Sequence, residues 1–365
     1  MINLKLFNIL NKYIFIEYMK FIFQITLLFL FLSIVLNLFE EINFFKDLKV
    51  SILFPLYMSF LKTPAMLEKI FPFIFLISSM VLFVKLTQSN EIVLLKLGGI
   101  SNFRIILYPA IISFLLGLII VSGYKSFSSN LLQNYLQIKN NYSEKKENLA
   151  VLTENGIWIK DKINNKINFI TAGKLTDHYL IGVTIFVLND DFKLEKRIRS
   201  EKIDISSTKW KLYNSVIHIN FTKIPQKNTF INFETNFDIT SINSLFTSLE
   251  AISFWKLKSI KRKFNKIGYS TREIDGKFHK AISFPFYLML MSLLAGIVVF
   301  SIKFKGGYSV YIFVSIFISV IAYYFNDFSK ALGDTQRISL ILSIWMPIIL
   351  YSLTTLIGIF YIYEK

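Results

Sequence analysis

Six apolar stretches decide what this chain can fold into. They lie at about residues 21–39, 70–87, 105–124, 281–302, 308–326 and 339–362, each close to or above the roughly 20 helical residues that cross a bilayer core. Within lipid a segment has to satisfy its own backbone N–H and C=O groups, so runs of this kind read as membrane-spanning helices. The first, Phe21 to Phe39, carries no charge, lacks a small-x-small cleavage site and runs straight into Glu40-Glu41. It therefore reads as a retained helix and not a signal peptide. The second apolar region begins near Ser51, but Pro55, Pro64 and Glu68-Lys69 interrupt it. The expectation there is an interfacial helix over 51–69 that feeds the span proper.

From about 128 to 265 the sequence changes character, becoming rich in Lys, Asn, Asp, Ser and Thr. Its apolar residues alternate in short runs, such as Val183–Val187 and Trp210–Ile219. Turn signals at Glu154-Asn-Gly156, Asn164-Asn165 and Ile224-Pro225 punctuate them. Short strands at that spacing point to an antiparallel sandwich or jelly roll, with Trp158 and Trp210 as core residues. Residues 243–266 then return to an amphipathic helical pattern, with Leu245, Leu249, Phe254 and Leu257 on one side.

The fold class expected is an α-helical membrane protein with an inserted all-β domain. Six transmembrane helices, three before and three after, flank a β-jelly-roll-like domain. The division is 1–127 for spans one to three with a short helix near 89–100, 128–265 for the β domain, and 266–365 for spans four to six.

Charge placement orients the spans. With the N-terminus inside, Lys5, Lys12, Lys20, Lys85, Lys96, Arg104, Lys303, Lys305 and Lys365 are cytoplasmic. Lys46, Lys49, Lys62, Lys69, Lys330 and Arg337 then fall in the short outer loops. Nine against six favours N-in and C-in, with the β domain outside. The net charge of +17 suits an acidic partner or anionic lipid, while codon bias towards Lys, Ile and Asn is the plain alternative. Nucleic acid is not expected as a partner.

Chemistry is sparse. No Cys is present, so no disulfide, iron–sulfur cluster or thiol nucleophile is possible. His178, His218 and His279 are scattered, which disfavours a His-based metal or catalytic site. Phosphate-binding and hydrolase motifs (G-x-x-x-x-G-K-[ST], H-E-x-x-H, G-x-S-x-G) are missing. No enzyme activity, metal or cofactor is expected of the chain itself, and energy for any work would come from a partner or an ion gradient.

The most informative segment is the inner loop Gln88 to Arg104. Ser89 or Asn90 suits an N-cap, Glu91 sits in a first turn that favours a carboxylate, and Gly98-Gly99 suits a C-cap. A short amphipathic helix follows, with Glu91, Leu95, Lys96 and Gly99 as its candidate contact residues. It is either a plain bridge between two spans or a coupling helix that docks into a cytoplasmic partner.

The run Ser89-Asn-Glu-Ile-x-x-Leu-x-x-x-Gly-x-Ser101 resembles the signature of the LptF/LptG permease family. So do Lys12-Tyr-Ile14, Phe71-Pro72, Gly156-Ile-Trp-Ile-Lys-Asp161, Leu249-Glu-Ala-Ile-Ser-Phe-Trp255 and Ser343-Ile-Trp-Met-Pro347, in order along nearly the whole chain. The Gly-Ile-Trp run resembles LptG more than LptF. The resemblance implies a permease subunit of an ABC transporter that takes lipopolysaccharide out of the inner membrane. It implies an LptF-like second permease and an LptB-like ATPase dimer that uses ATP and Mg, followed by LptC-like and LptA-like bridge proteins. Carried over by position, Glu91 matches a coupling-helix glutamate that faces a basic residue of the ATPase.

The chain departs from the family at Asn37, where a Lys is expected to face the lipid phosphates. Lys46 and Lys49 are then the candidates for that contact. Glu40 and Glu41 read either as a solvated pair or as lining of the lipid entrance. Asp327 and Lys330 read either as an i,i+3 pair or as a partner or lipid contact. The competing functional reading is a non-transporting membrane sensor, or a mechanotransmitting ABC subunit, whose β domain binds an external ligand.

Overall fold

A computed structural model of the protein describes residues 2–48, 50–142, 157–163, 166–176, 178–189, 193–219, 222–225, 230–237, 252–266, 271–301 and 308–363. The chain divides into two compact units, Met1–Tyr135 with Ile274–Lys365, and Leu136–Glu273.

In the first unit, α1 (Ile2–Phe45) and α2 (Phe54–Gln88) are followed by the short α3 (Glu91–Leu97). Then come α4 (Asn102–Ile119), a π-helical turn (Ile120–Tyr124) and α5 (Lys125–Tyr142). Helix α6 (Phe254–Lys266) belongs to the second unit, and the chain then continues through α7 (Arg272–Ser301), α8 (Tyr308–Asp334) and α9 (Leu340–Tyr363). Among the described residues six helices are long and apolar enough to cross a membrane, and each covers one of the expected spans to within a residue at its ends. The third continues past the π turn to Lys139.

The second span differs from expectation. Residues 51–69 are not a separate interfacial helix, because α2 runs unbroken from Phe54 through Pro64 and Pro72. Pro55 falls in the first turn, where a missing N–H costs nothing. Around the interior prolines, hydroxyls cover backbone carbonyls. Ser59 donates to Pro55 O (2.8 Å), Thr63 to Ser59 O (2.7 Å) and Tyr124 to Pro64 O (2.9 Å).

α2 and α7 are the most buried spans, while α1, α8 and α9 leave most of their apolar windows exposed. Phe23, Phe31, Phe313 and Phe317 are among the exposed side chains, as expected of surface that faces lipid. Little hydrophobic drive separates helices from lipid tails, so close packing and polar contacts hold such bundles together. Both occur here. A Cβ on Gly117 of α4 would lie 2.7 Å from Pro285 Cα of α7, so only glycine allows that approach. The Tyr18 hydroxyl, fully buried, lies 2.8 Å from Ser79 Oγ and 2.7 Å from Ser113 Oγ, and Ser79 donates to Ser292 Oγ at 2.9 Å. That cluster joins α1, α2, α4 and α7.

The second unit is built on an antiparallel sheet. Its strands are β1 (Ile157–Ile163), β2 (Lys166–Ala172), β3 (Lys174–Thr176), β4 (Tyr179–Leu188), β5 (Leu194–Asp204), β6 (Lys209–Ile219), β7 (Thr222–Pro225) and β8 (Phe230–Glu234). The order is β1-β2-β4-β5-β6-β7, with β3 added to β4 and β8 to β6. Among the described residues the strands form one continuous hydrogen-bonded sheet. The inserted β domain is there, and its core gathers Ile170, Val183, Ile185, Ile198, Trp210, Leu212 and Phe237.

Trp210 is fully buried and donates from Nε1 to Phe237 O at 2.7 Å, so it is a core residue as expected. The Trp158 side chain lies outside the described residues. Asp161 on β1 is also fully buried. Its carboxylate accepts from Thr235 Oγ1 (2.7 Å), Asn236 Nδ2 (2.8 Å) and the Asn236 N–H (3.2 Å), clasping β1 to the chain after β8.

Candidate functional site

The candidate residues gather at two ends of the helical unit. At one end α3 follows α2 after a two-residue turn. Asn90 holds the turn with a left-handed backbone, φ +57°, a conformation Asn tolerates better than most residues. Asn90 precedes the first helical residue, but neither it nor Ser89 caps the helix through its side chain. The Ser89 hydroxyl instead bonds to Lys85 O and to Glu91 Oε1, both at 2.8 Å. The far end closes as expected. Gly99 takes φ +81°, and the Gly99 and Ile100 N–H groups bond to Lys96 O (2.9 Å) and Leu95 O (3.1 Å). This is the Schellman arrangement, which needs glycine at its left-handed position.

Glu91 is held from two sides, by Ser89 and, at 3.3 Å, by the Tyr13 hydroxyl of α1. Nearby, Lys85 of α2 pairs with Glu17 of α1 at 2.6 Å and lies over the Tyr13 ring. The short helix is thus tied back to the first span by side chains 78 residues apart in sequence. Its faces differ sharply. Ile92 and Leu95 are buried, whereas Leu94 and Leu97 are 67% and 81% exposed and Val93 is exposed beside them. Lys96 and Gly99 border a cleft of about 410 Å³ whose walls include Phe103 and Ile106 of α4 and Ile359 and Ile362 of α9.

At the opposite end, Asn37, Glu40 and Glu41 of α1 meet α2 and α5. Asn37 is buried and donates from Nδ2 to Thr63 Oγ1 at 3.1 Å. Glu40 pairs with Lys62 at 2.5 Å. Glu41 is fully buried and accepts from the Tyr135 hydroxyl at 2.6 Å. The two glutamates therefore have different roles, and Glu41 is not solvated. Lys46 is exposed past the end of α1, and Lys49 lies outside the described residues. Asp327 and Lys330 are both exposed on α8, and no ion pair joins them among the described residues.

The pattern is that of a membrane bundle with a punctuated helix between two spans and a β domain inserted between its halves. The model of the lipopolysaccharide export system permease LptF/LptG family matches residues 12–362. This chain belongs to that family. None of the curated proteins matches the sequence.

The LptF/LptG permease is a multi-pass protein of the inner membrane and a component of the lipopolysaccharide export system. Within it, sequence reasoning missed the outward ridge of Val93, Leu94 and Leu97. The run Glu91-Ile-Val-Leu-Leu-Lys-Leu97 is apolar nearly all round, so seven residues carry too little periodicity to separate the faces. Leu95 packs inward with Ile92. Of the expected contact set, Lys96 and Gly99 lie on the surface and Glu91 is half-buried. Tyr13 and Tyr135 were missed as well, since each acts on a glutamate far away in the sequence. Gly156 of the Gly156–Asp161 motif and residues 249–251 of the Leu249–Trp255 motif lie outside the described residues.

Proposed function

We propose that this permease is the membrane subunit, of the LptG type, in an ABC transporter that extracts lipopolysaccharide from the inner membrane. It would pair with an LptF-like permease and pass the glycolipid through LptC-like and LptA-like proteins towards the outer membrane. The β domain stands in the periplasm in this reading. ATP and Mg are used by an LptB-like ATPase dimer and not by this chain, which binds no cofactor.

The supporting observation is α3. A seven-residue helix, closed by a glycine C-cap and tied to α1, carries an unburied apolar ridge beside Lys96. Such a ridge has reason to stay exposed when another protein covers it. Closure of the ATPases would push this helix, and the Tyr13–Glu91 and Glu17–Lys85 contacts would carry the push to α1 and α2.

Purification of the tagged chain from its native membrane tests the reading. Recovery of a second permease of similar size together with a soluble ATPase is the expected result. Recovery of the chain without any ATPase would overturn it. For the lipid, we assign the phosphate contact to Lys46 and Lys49, because the Asn37 amide is engaged by Thr63 and carries no charge. Changing both lysines to Ala should weaken lipid photocrosslinking far more than Asn37→Ala. A loss confined to the Asn37 variant would refute the assignment.

A further inference from the structure

Helix α6 carries six Lys or Arg among its 13 residues and no acid, in a chain with 41 Lys or Arg and 24 Asp or Glu among 365 residues. Codon bias enriches lysine everywhere, but it does not sort charge and aromatic residues onto faces. Here they are sorted. Leu257 is buried, and Ile260 and Phe264, three and seven residues on, are half-buried. Trp255, Lys258 and Arg262 repeat the same spacing on another side, and all three are exposed, with Lys256 and Ser259 beside them.

Trp255 is 66% exposed at the N-terminal end of that cationic face. A solvated basic surface has no use for a Trp there, and a soluble polyanion would be met by the charges alone. An exposed aromatic ring next to a row of cations fits a boundary with negative charge at its surface and hydrocarbon just below. Trp is enriched at that depth, and lysine stems lie along apolar surface while their ammonium groups reach phosphates. Connectivity agrees. Only residues 267–271, a link of roughly 20 Å at most, separate α6 from α7, whose apolar run begins about two and a half turns on, near residue 281.

We propose that α6 is an interfacial anchor that binds the anionic phospholipid headgroups of the bilayer. Trp255 sits at headgroup depth, and Lys256, Lys258 and Arg262 pair with the lipid phosphates. The proposal needs only that α7 crosses a membrane and does not depend on the export reading.

The chain has no native cysteine, so Ser259→Cys can carry a single environment-sensitive fluorophore on the full-length protein. The protein is placed in lipopolysaccharide-free nanodiscs of phosphatidylcholine alone, or of phosphatidylcholine with phosphatidylglycerol. The expected result is a blue-shifted emission, quenched by brominated lipid, in the anionic discs and reversed by high salt. Lys258→Gln and Arg262→Gln should each lower the ratio of inserted to free probe roughly fivefold, and Trp255→Ala should lower it too. These side chains are exposed, so thermal stability should not change and serves as the folding control. Emission identical in the two lipid compositions would overturn the proposal. So would a shift that appears only after lipopolysaccharide or a partner protein is added, since the face would then belong to cargo or to that protein.

Discussion

Glu91 is bonded to hydroxyls of its own chain, yet an Arg or Lys from an ATPase would bind it more strongly. A cation adds Coulombic attraction that a neutral hydroxyl lacks, and the Tyr13 bond is long at 3.3 Å. The carboxylate is thus oriented by neighbours that it can exchange for a partner's cation. Glu91→Lys should reduce ATPase recovery at least roughly tenfold, because like charges across an interface cost several kcal/mol. Insertion of the permease should be unaffected. An Arg→Glu change on the ATPase should restore part of the loss, the signature of a direct pair in a double-mutant cycle. Unchanged recovery and export in the Glu91→Lys strain would leave this residue with only its internal bonds. Sequence alone pointed to Glu91 through its first-turn position, but not to Tyr13, which no local rule connects to it.

Among the elements, α3 offers the clearest division of labour. Leu95 is buried while Leu94 and Leu97 face outward. Leu95→Ala should therefore destabilise the permease by about 2–3 kcal/mol, read as a lower melting temperature in detergent. Leu94→Asp with Leu97→Asp should leave melting unchanged and abolish ATPase co-purification. If the double variant still recovered the ATPase, the ridge would not be the docking face. In the β unit, the buried Asp161 carboxylate holds Thr235 and Asn236. Asp161→Ala strips three donors of their acceptor at once, so a loss of about 3 kcal/mol is expected, visible as earlier proteolysis of the β unit while the spans stay intact. Resistance equal to the parent protein would contradict that role. The Gly156–Asp161 motif marked this strand in the sequence, although nothing local shows that its last residue is a clasp.

For the whole molecule, orientation follows from charge bias and is open to direct test. Ser207 lies exposed in the β5–β6 turn, and Lys12 lies exposed near the start of α1. In cells with a permeabilised outer membrane, Ser207→Cys should react with a membrane-impermeant maleimide, and Lys12→Cys should react only after the inner membrane is opened. The reverse pattern would overturn both the orientation and the transport cycle built on it.

Much of this architecture is local in origin. Span number and order, the inserted β domain and the two ends of α3 follow from apolar run length, two-residue alternation and glycine at a left-handed position, each a property of neighbours along the chain. What the tertiary structure decided depends on pairs that no window contains. The Tyr18–Ser113 contact spans 95 residues and the Tyr135–Glu41 contact 94. Such contacts turn Asn37 inward to Thr63, and they bury one glutamate of an adjacent pair while the other is ion-paired at the surface. They also settle which side of a nearly all-apolar helix faces the bundle. Burial of a polar group is stable only where a donor or acceptor arrives from elsewhere in the fold, and which group arrives is a property of the assembled bundle.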